Sequence, residues 1–248
     1  MKPNIYKESF FDSHLADSIS SAKEIIPKVL QYIQPASVID VGAGVGTWLL
    51  IWEKLGVSDL VGVDGSYVNK EKLLIEKNKF ITANLDNGFK IDRKFDLVEC
   101  LEVAEHIQPK NAENFITSLC KLGDIVLFSA AVPGQEGTMH YNEQYPDFWI
   151  ALFAKNNFTP YDCLRRQLWT NDKVSWWYRQ NIMFFISDGA KEKYPAIIRE
   201  YQNVLSLVHP ELLNHKSAKA AQYEKLLRNP LRILPFYAGI ILRKIKNR

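Results

Sequence analysis

The residues best suited to chemistry follow short apolar runs. In Val38-Ile-Asp-Val-Gly-Ala-Gly-Val-Gly-Thr47, Asp40 stands just ahead of Gly42, Gly44 and Gly46. Glycines at a strand-to-helix turn permit positive φ and let a ligand approach the backbone closely. The spacing is G-x-G-x-G, with Thr47 where a dinucleotide fingerprint needs its third glycine, so a pyrophosphate fits poorly. Asp40 argues the same way, because a carboxylate there repels a pyrophosphate and suits an ammonium or sulfonium group. Asp64, followed by Gly65, ends a second apolar run 24 residues after Asp40. A carboxylate at that tip can accept from both hydroxyls of a ribose, which implies a nucleoside. A third run ends at Asn84-Leu85-Asp86 and a fourth at Leu101-Glu102-Val-Ala-Glu105-His106.

Positioning these groups at one edge requires alternating strands and helices. The β-branched runs predict strands at Ser37–Val41, Leu60–Asp64, Phe80–Ala83, Phe95–Leu101 and Ile125–Ala130. Amphipathic stretches predict helices at Thr47–Leu55, Tyr67–Glu76, Asn111–Lys121 and Pro146–Asn156, with a kinked lead-in over Ala16–Ile33 interrupted by Pro27. Closing strands are expected near Asp162–Trp169 and at Gln180–Ser187, and helices in 188–248. The expected class is α/β: a Rossmann-like doubly wound sheet, mostly parallel with an antiparallel last strand, helices on both faces and a helical C-terminal appendix. The expected division is 1–187, with N-terminal helices in 13–33, a cofactor half in 36–130 and an acceptor side in 131–187, followed by 188–248.

VIDVGAGVGTW, LVGVDGS, FDLVECLEVAEHI and MHYNEQYPDFW together resemble class I S-adenosylmethionine-dependent methyltransferases of the bacterial small-molecule and glycan-modifying kind, over about residues 36–187. The resemblance implies S-adenosylmethionine as donor and S-adenosylhomocysteine as product. It implies Asp40, Gly42, Ala43 and Gly44 at the methionine end, Asp64 and Gly65 at the ribose, and Asn84 with Leu85 at the adenine. Leu101, Glu102 and His106 would line the sulfonium and substrate cleft. The family often has Asp where this chain has Asn84, whose carbonyl can still accept from the adenine amino group. Singly, Asp64 could be a helix cap and Asn84 a turn residue. Their order along the chain is what joins them.

Methyl transfer from a sulfonium is an in-line displacement, and a base is needed only for some acceptors. A hydroxyl must lose its proton as the bond forms, which an imidazole or carboxylate can take. The candidates are His140 and His106, with Glu102, Glu105 and Glu143 beside them. His140 lies in the polar-aromatic stretch Thr138–Asp147, where Gly134 and Gly137 allow movement and the loop can present a base; the lesser alternative is that His140 caps the helix or pins that loop. For His106 the alternative is a pocket-shaping role. Asn142, Glu143, Gln144 and Tyr145 could hydrogen-bond a polyhydroxylated acceptor, Trp177 and its neighbours could stack on a sugar ring, and Arg179-Gln180-Asn181 offers donors. Trp149, four residues before Phe153, reads as core. No metal-type cluster shows in the spacing, which disfavours metal-assisted transfer to a catechol.

The net charge of +3 over 248 residues hides an asymmetry: Lys216–Arg248 carries nine Lys/Arg against Glu224, net +8, which leaves −5 for residues 1–215. An acidic body without a basic-aromatic stripe ranks nucleic acid last among partners. The basic tail fits either a packed helix or an anionic membrane surface. Three cysteines at no metal-type spacing, no secretory signal and no apolar run long enough to span a bilayer point to a reduced, cytoplasmic protein, with peripheral contact at the inner membrane face left open. The expected function is O-methylation of a sugar, sugar nucleotide or cell-surface glycan precursor. The rivals are N-methylation of a small amine or amide, a nicotinamide-dependent reductase disfavoured by Thr47 and Asp40, and a non-catalytic nucleoside-binding module.

Overall fold

The computed structural model describes residues 8–200 and 206–227. Residues 228–248, which hold most of the basic tail, lie outside the described residues. The chain forms two compact units, Met1–Leu207 and Val208–Arg248.

The first unit is a sheet of β1 (Ser37–Val41), β2 (Asp59–Asp64), β3 (Phe80–Thr82), β4 (Leu97–Leu101), β5 (Ile125–Ser129), β6 (Phe158–Tyr161) and β7 (Met183–Ser187). Their order is β3-β2-β1-β4-β5-β7-β6. Neighbours among β1 to β5 run parallel, while β7 pairs antiparallel with both β5 and β6, as the sequence predicts for the last strand. β1, β4 and β5 are buried along their whole length, because a sheet covered on both faces needs apolar side chains on both.

Alternation along these strands sorts the core into two layers. Val38, Leu97 and Leu127 face α1 (Glu8–Val29) and α2 (Thr47–Lys54), which contribute Ile25, Ile26, Leu49 and Trp52. Ile39, Val98 and Phe128 face α3 (Ala112–Leu122) and α4 (Pro146–Ala154), with Phe115, Leu119, Trp149 and Phe153. Trp149 is therefore core, as its spacing to Phe153 predicts; both rings pack on Phe128. Pro27 sits inside α1 near its end, so the lead-in is one helix.

Two expected elements differ. Tyr67–Glu76 forms only a short 3₁₀ turn at Lys70–Lys72, started by the Asn69 side chain accepting from the Glu71 N–H. Its remainder is drawn out against the glycine loop, where the Leu74 N–H bonds the Val45 carbonyl and Ile75 is buried. Tertiary contact overrides helical periodicity there. The penultimate strand is Phe158–Tyr161, ahead of the expected Asp162–Trp169. In that later stretch Arg165 turns inward to Asp162 and the Gln180 carbonyl, within the single turn α5 (Arg165–Leu168). The segment before β7 is likewise helical, α6 (Trp176–Asn181), so Arg179, Gln180 and Asn181 are not on a strand. Beyond β7 come α7 (Pro195–Arg199) and, in the second unit, α8 (Pro210–Leu227). Among the described residues, no helix is long and apolar enough to cross a membrane.

Candidate active site

β1 is flanked by β2 on one side and β4 on the other, so the chain switches direction across the sheet at β1/β4, and the loops after those strands part to leave a crevice at their carboxyl ends. The loop after β1 has φ of +93°, +55° and +85° at Gly42, Gly44 and Gly46, and Gly46 caps α2. Nothing lies within 4 Å of where a Gly44 side chain would project, so the backbone is open to a ligand. The Gly44 N–H donates to Asp64 Oδ2 at 2.7 Å, and the Gly65 N–H to Asp64 Oδ1 at 2.6 Å. Asp64 thus ties the tip of β2 to the glycine loop.

These residues fit a cationic nucleoside. Asp64 accepts from an O–H group, the Tyr67 hydroxyl, a donor of the same chemical kind as a ribose hydroxyl. Beside it Asp40 is buried, and burial first, then the Asp64 charge, pushes its carboxyl up to about 8. A sulfonium or ammonium placed against this pair favours the ionised carboxylates and so opposes both causes. Leu85 and Leu101 are buried, whereas Asn84 is exposed and its Oδ1 accepts from the Asp86 N–H at 3.1 Å, capping a turn.

The loop after β4 carries the second half of the site. Glu102 takes φ +56°, and its N–H donates to the Ser129 carbonyl at 2.9 Å. Its carboxylate accepts from Gln135 Nε2 at 2.6 Å and Asn181 Nδ2 at 3.2 Å. Glu105 is 1% exposed; its carbonyl accepts from the N–H groups of Tyr141 and Asn142, at 2.9 and 3.0 Å. Those bonds dock the loop after β5 onto the loop after β4. Burial first, then the Glu102 charge, raises the Glu105 carboxyl well above the usual range, and its Oε2 has no partner.

The docked loop delivers His140. The imidazoles of His106 and His140 meet edge to face, centroids 4.8 Å apart. His106 Nδ1 lies 3.2 Å from the Met139 carbonyl and His140 Nδ1 2.9 Å from Glu143 Oε1. A carbonyl and a carboxylate only accept, so both rings carry a proton on Nδ1, and in the neutral ring the lone pair is then on Nε2. Glu143 also accepts from the Gly134 and Glu136 N–H groups, at 2.7 Å each, which fixes the loop the two glycines were expected to loosen. Gly137 lies against the His140 ring, where a side chain would meet Nε2 at 2.1 Å. Burial, then His140, lowers the His106 pKa, while the Met139 carbonyl and, after it, Asp64 oppose them. Three of the non-glycine residues with positive φ, Glu102, Glu136 and Met139, cluster here.

The fold thus unites His106, His140, Glu102 and Glu143. Asn142 is buried and accepts from Gln144 Nε2 at 2.9 Å, while Tyr145 is 54% exposed. Trp177 is half-buried against Trp176, and Arg179 is buried on α6, donating to the Trp169 carbonyl at 3.2 Å. Sequence reasoning missed Tyr67 on Asp64 and Gln135 on Glu102. For Gln135 the one signal is its place between Gly134 and Gly137, in a loop already marked by turn residues.

The methyltransferase domain family matches residues 13–177. A ubiquinone biosynthesis O-methyltransferase, mitochondrial, of Dictyostelium discoideum is 26% identical over 148 residues, 52% of this chain. The chain spans about half the length of that curated relative, 46%. Among solved structures, the sugar N-methyltransferase KedS8 from Streptoalloteichus sp ATCC 53650 superposes with a TM-score of 0.55 at 13% identity, covering 75% of this chain and 97% of that one. Magnesium protoporphyrin IX methyltransferase from Synechocystis PCC 6803, with bound SAH, gives 0.50 at 19% identity over 74% and 89%. At such identities the structural likeness speaks for the fold, and the family match speaks for descent. The chain belongs to the methyltransferase domain family, the class I S-adenosylmethionine-dependent enzymes.

Proposed function

We propose that this enzyme methylates a hydroxyl group of a small polyhydroxylated acceptor, a sugar, sugar nucleotide or glycan precursor. The observation that carries the reading is the convergence of His106, His140 and Glu105 in loops at the same carboxyl edge of the parallel strands as Asp40 and Asp64. An amine is nucleophilic without help, whereas a hydroxyl needs such groups. Bound S-adenosylmethionine supplies an electrophilic methyl group. Asp40, Asp64 and the glycine loop hold it. His140, oriented by Glu143, activates the acceptor oxygen, whose proton leaves to solvent as the C–O bond forms; the C–S pair stays on sulfur, giving S-adenosylhomocysteine. Tyr141 and Tyr145, each more than half exposed on the His140 loop, present faces for a sugar ring. The name of the curated relative, an O-methyltransferase, supports oxygen over nitrogen. We also propose that the basic tail brings the enzyme to the anionic cytoplasmic membrane face.

Thermal shift with S-adenosylhomocysteine tests the donor site. At 100 times its dissociation constant a ligand adds about 2.7 kcal/mol, roughly 5–11 °C for a chain of this size. A shift with NAD alone would sink the reading. Mass spectrometry for a methylated product, across sugar nucleotides and small amines, tests the acceptor; products from amines only would overturn it.

A further inference from the structure

We infer that Glu105, His106 and His140 form a binding site for a first-row divalent transition cation, which holds the acceptor's oxygen for methylation. The inference rests on the proposed hydroxyl transfer and defines how His140 takes part in it, as a ligand through Nε2.

One ligand atom from each of the three side chains lies within 4.8 Å of the others. Around a cation with bonds of about 2.0–2.2 Å, such atoms sit roughly 3–4 Å apart, so side-chain adjustments of about 1 Å close the set. Both imidazoles are already arranged as ligands are. Each has Nδ1 engaged by an acceptor, Met139 O or Glu143 Oε1, so Nε2 is the nitrogen that a neutral ring offers to a cation. A carboxylate behind a histidine is the usual outer support of a metal ligand, and Glu143 is itself held by two backbone N–H groups. Independently, Glu105 is 1% exposed with Oε2 lacking any partner, an arrangement that costs stability unless something cationic satisfies it. Glu102 stands apart from the ligand set, since Gln135 and Asn181 already occupy its oxygens.

Two imidazoles and one carboxylate suit manganese, iron, cobalt or zinc better than magnesium or calcium, which favour all-oxygen sites. Three protein ligands leave positions open on the cation, and an acceptor with adjacent hydroxyls fills two of them. Such binding lowers the hydroxyl pKa and orients one oxygen toward the methyl donor.

The test uses chelator-washed, untagged, full-length protein titrated with Co²⁺, read by visible absorption and thermal shift, with S-adenosylhomocysteine binding measured in parallel. Saturable binding at one Co²⁺ per chain is expected, with a ligand-field band. Glu105→Gln, His140→Ala and His140→Gln should each weaken it at least about 10-fold while S-adenosylhomocysteine still binds. Wild-type affinity for Co²⁺ equal to that of His140→Ala overturns the site and leaves the methyltransferase reading standing. Absence of S-adenosylhomocysteine binding overturns that reading instead. If the alanine variant fails to fold, unchanged Co²⁺ affinity in His140→Gln overturns the inference.

Discussion

A carboxyl buried beside another carboxylate keeps its proton, and Asp40, pushed up to about 8, does so near neutral pH. Its folded pKa lies above the ordinary 3.8, so the protonated form is favoured by folding and the stability it contributes is lost as pH rises toward about 8. A cationic donor reverses the preference, because it binds the ionised carboxylate. Cofactor affinity should therefore rise with pH up to about 8 and then level off. Calorimetric titration of S-adenosylmethionine between pH 6 and 9 checks this, and Asp40→Asn should flatten the profile; an equally steep profile in that variant refutes the assignment. At the acceptor, His140→Ala should leave S-adenosylhomocysteine binding intact while slowing transfer by about 10²–10⁴. Gly137→Ala should reproduce part of that loss with the histidine still present, since the added carbon would stand 2.1 Å from Nε2 and push the ring aside. Normal turnover in Gly137→Ala would mean that the ring's position is immaterial.

At the scale of elements, β4 carries an anomaly next to this chemistry. Glu99 is fully buried in mid-strand, in register with Asp40 on β1, and neither carboxylate oxygen has a partner. The Trp52 indole on α2 approaches it without hydrogen-bond geometry. Burial, then Asp40, raises its pKa well above the usual range, so this residue weakens the sheet, increasingly so as pH rises. Glu99→Leu should stabilise by about 1–3 kcal/mol, roughly 2–12 °C in Tm for this length, with the gain growing toward alkaline pH. A fall in Tm would show that Glu99 has a stabilising partner. The sheet around it was legible because strands covered on both faces read as unbroken apolar runs, and the glycine loop and Asp64 because they directly follow such runs. The extended course of Tyr67–Glu76 was not, since contact of Ile75 and Leu74 with the glycine loop decides it. Nor was the histidine cluster: thirty-four residues separate His106 from His140, and bonds between distant loops, such as those from the Tyr141 and Asn142 N–H groups to the Glu105 carbonyl, bring them together.

For the whole molecule, the charge division is the feature that the folded methyltransferase unit leaves unused. Residues 228–248 carry six Lys/Arg and no Asp/Glu, interleaved with Leu, Ile and Phe. Near an anionic bilayer each cation contributes about 1 kcal/mol, enough in sum for reversible attachment without a membrane-crossing segment. A freely diffusing sugar nucleotide would give such attachment no purpose, whereas a lipid-linked precursor would concentrate acceptor and enzyme on one surface. Full-length protein should therefore float with anionic vesicles and stay behind with neutral ones, and about 1 M salt, where the Debye length falls to about 3 Å, should release it. Truncation after Leu227 should abolish flotation while leaving S-adenosylhomocysteine binding unchanged. Equal flotation of the two forms would remove the tail from the membrane role and return the choice of acceptor to soluble sugars.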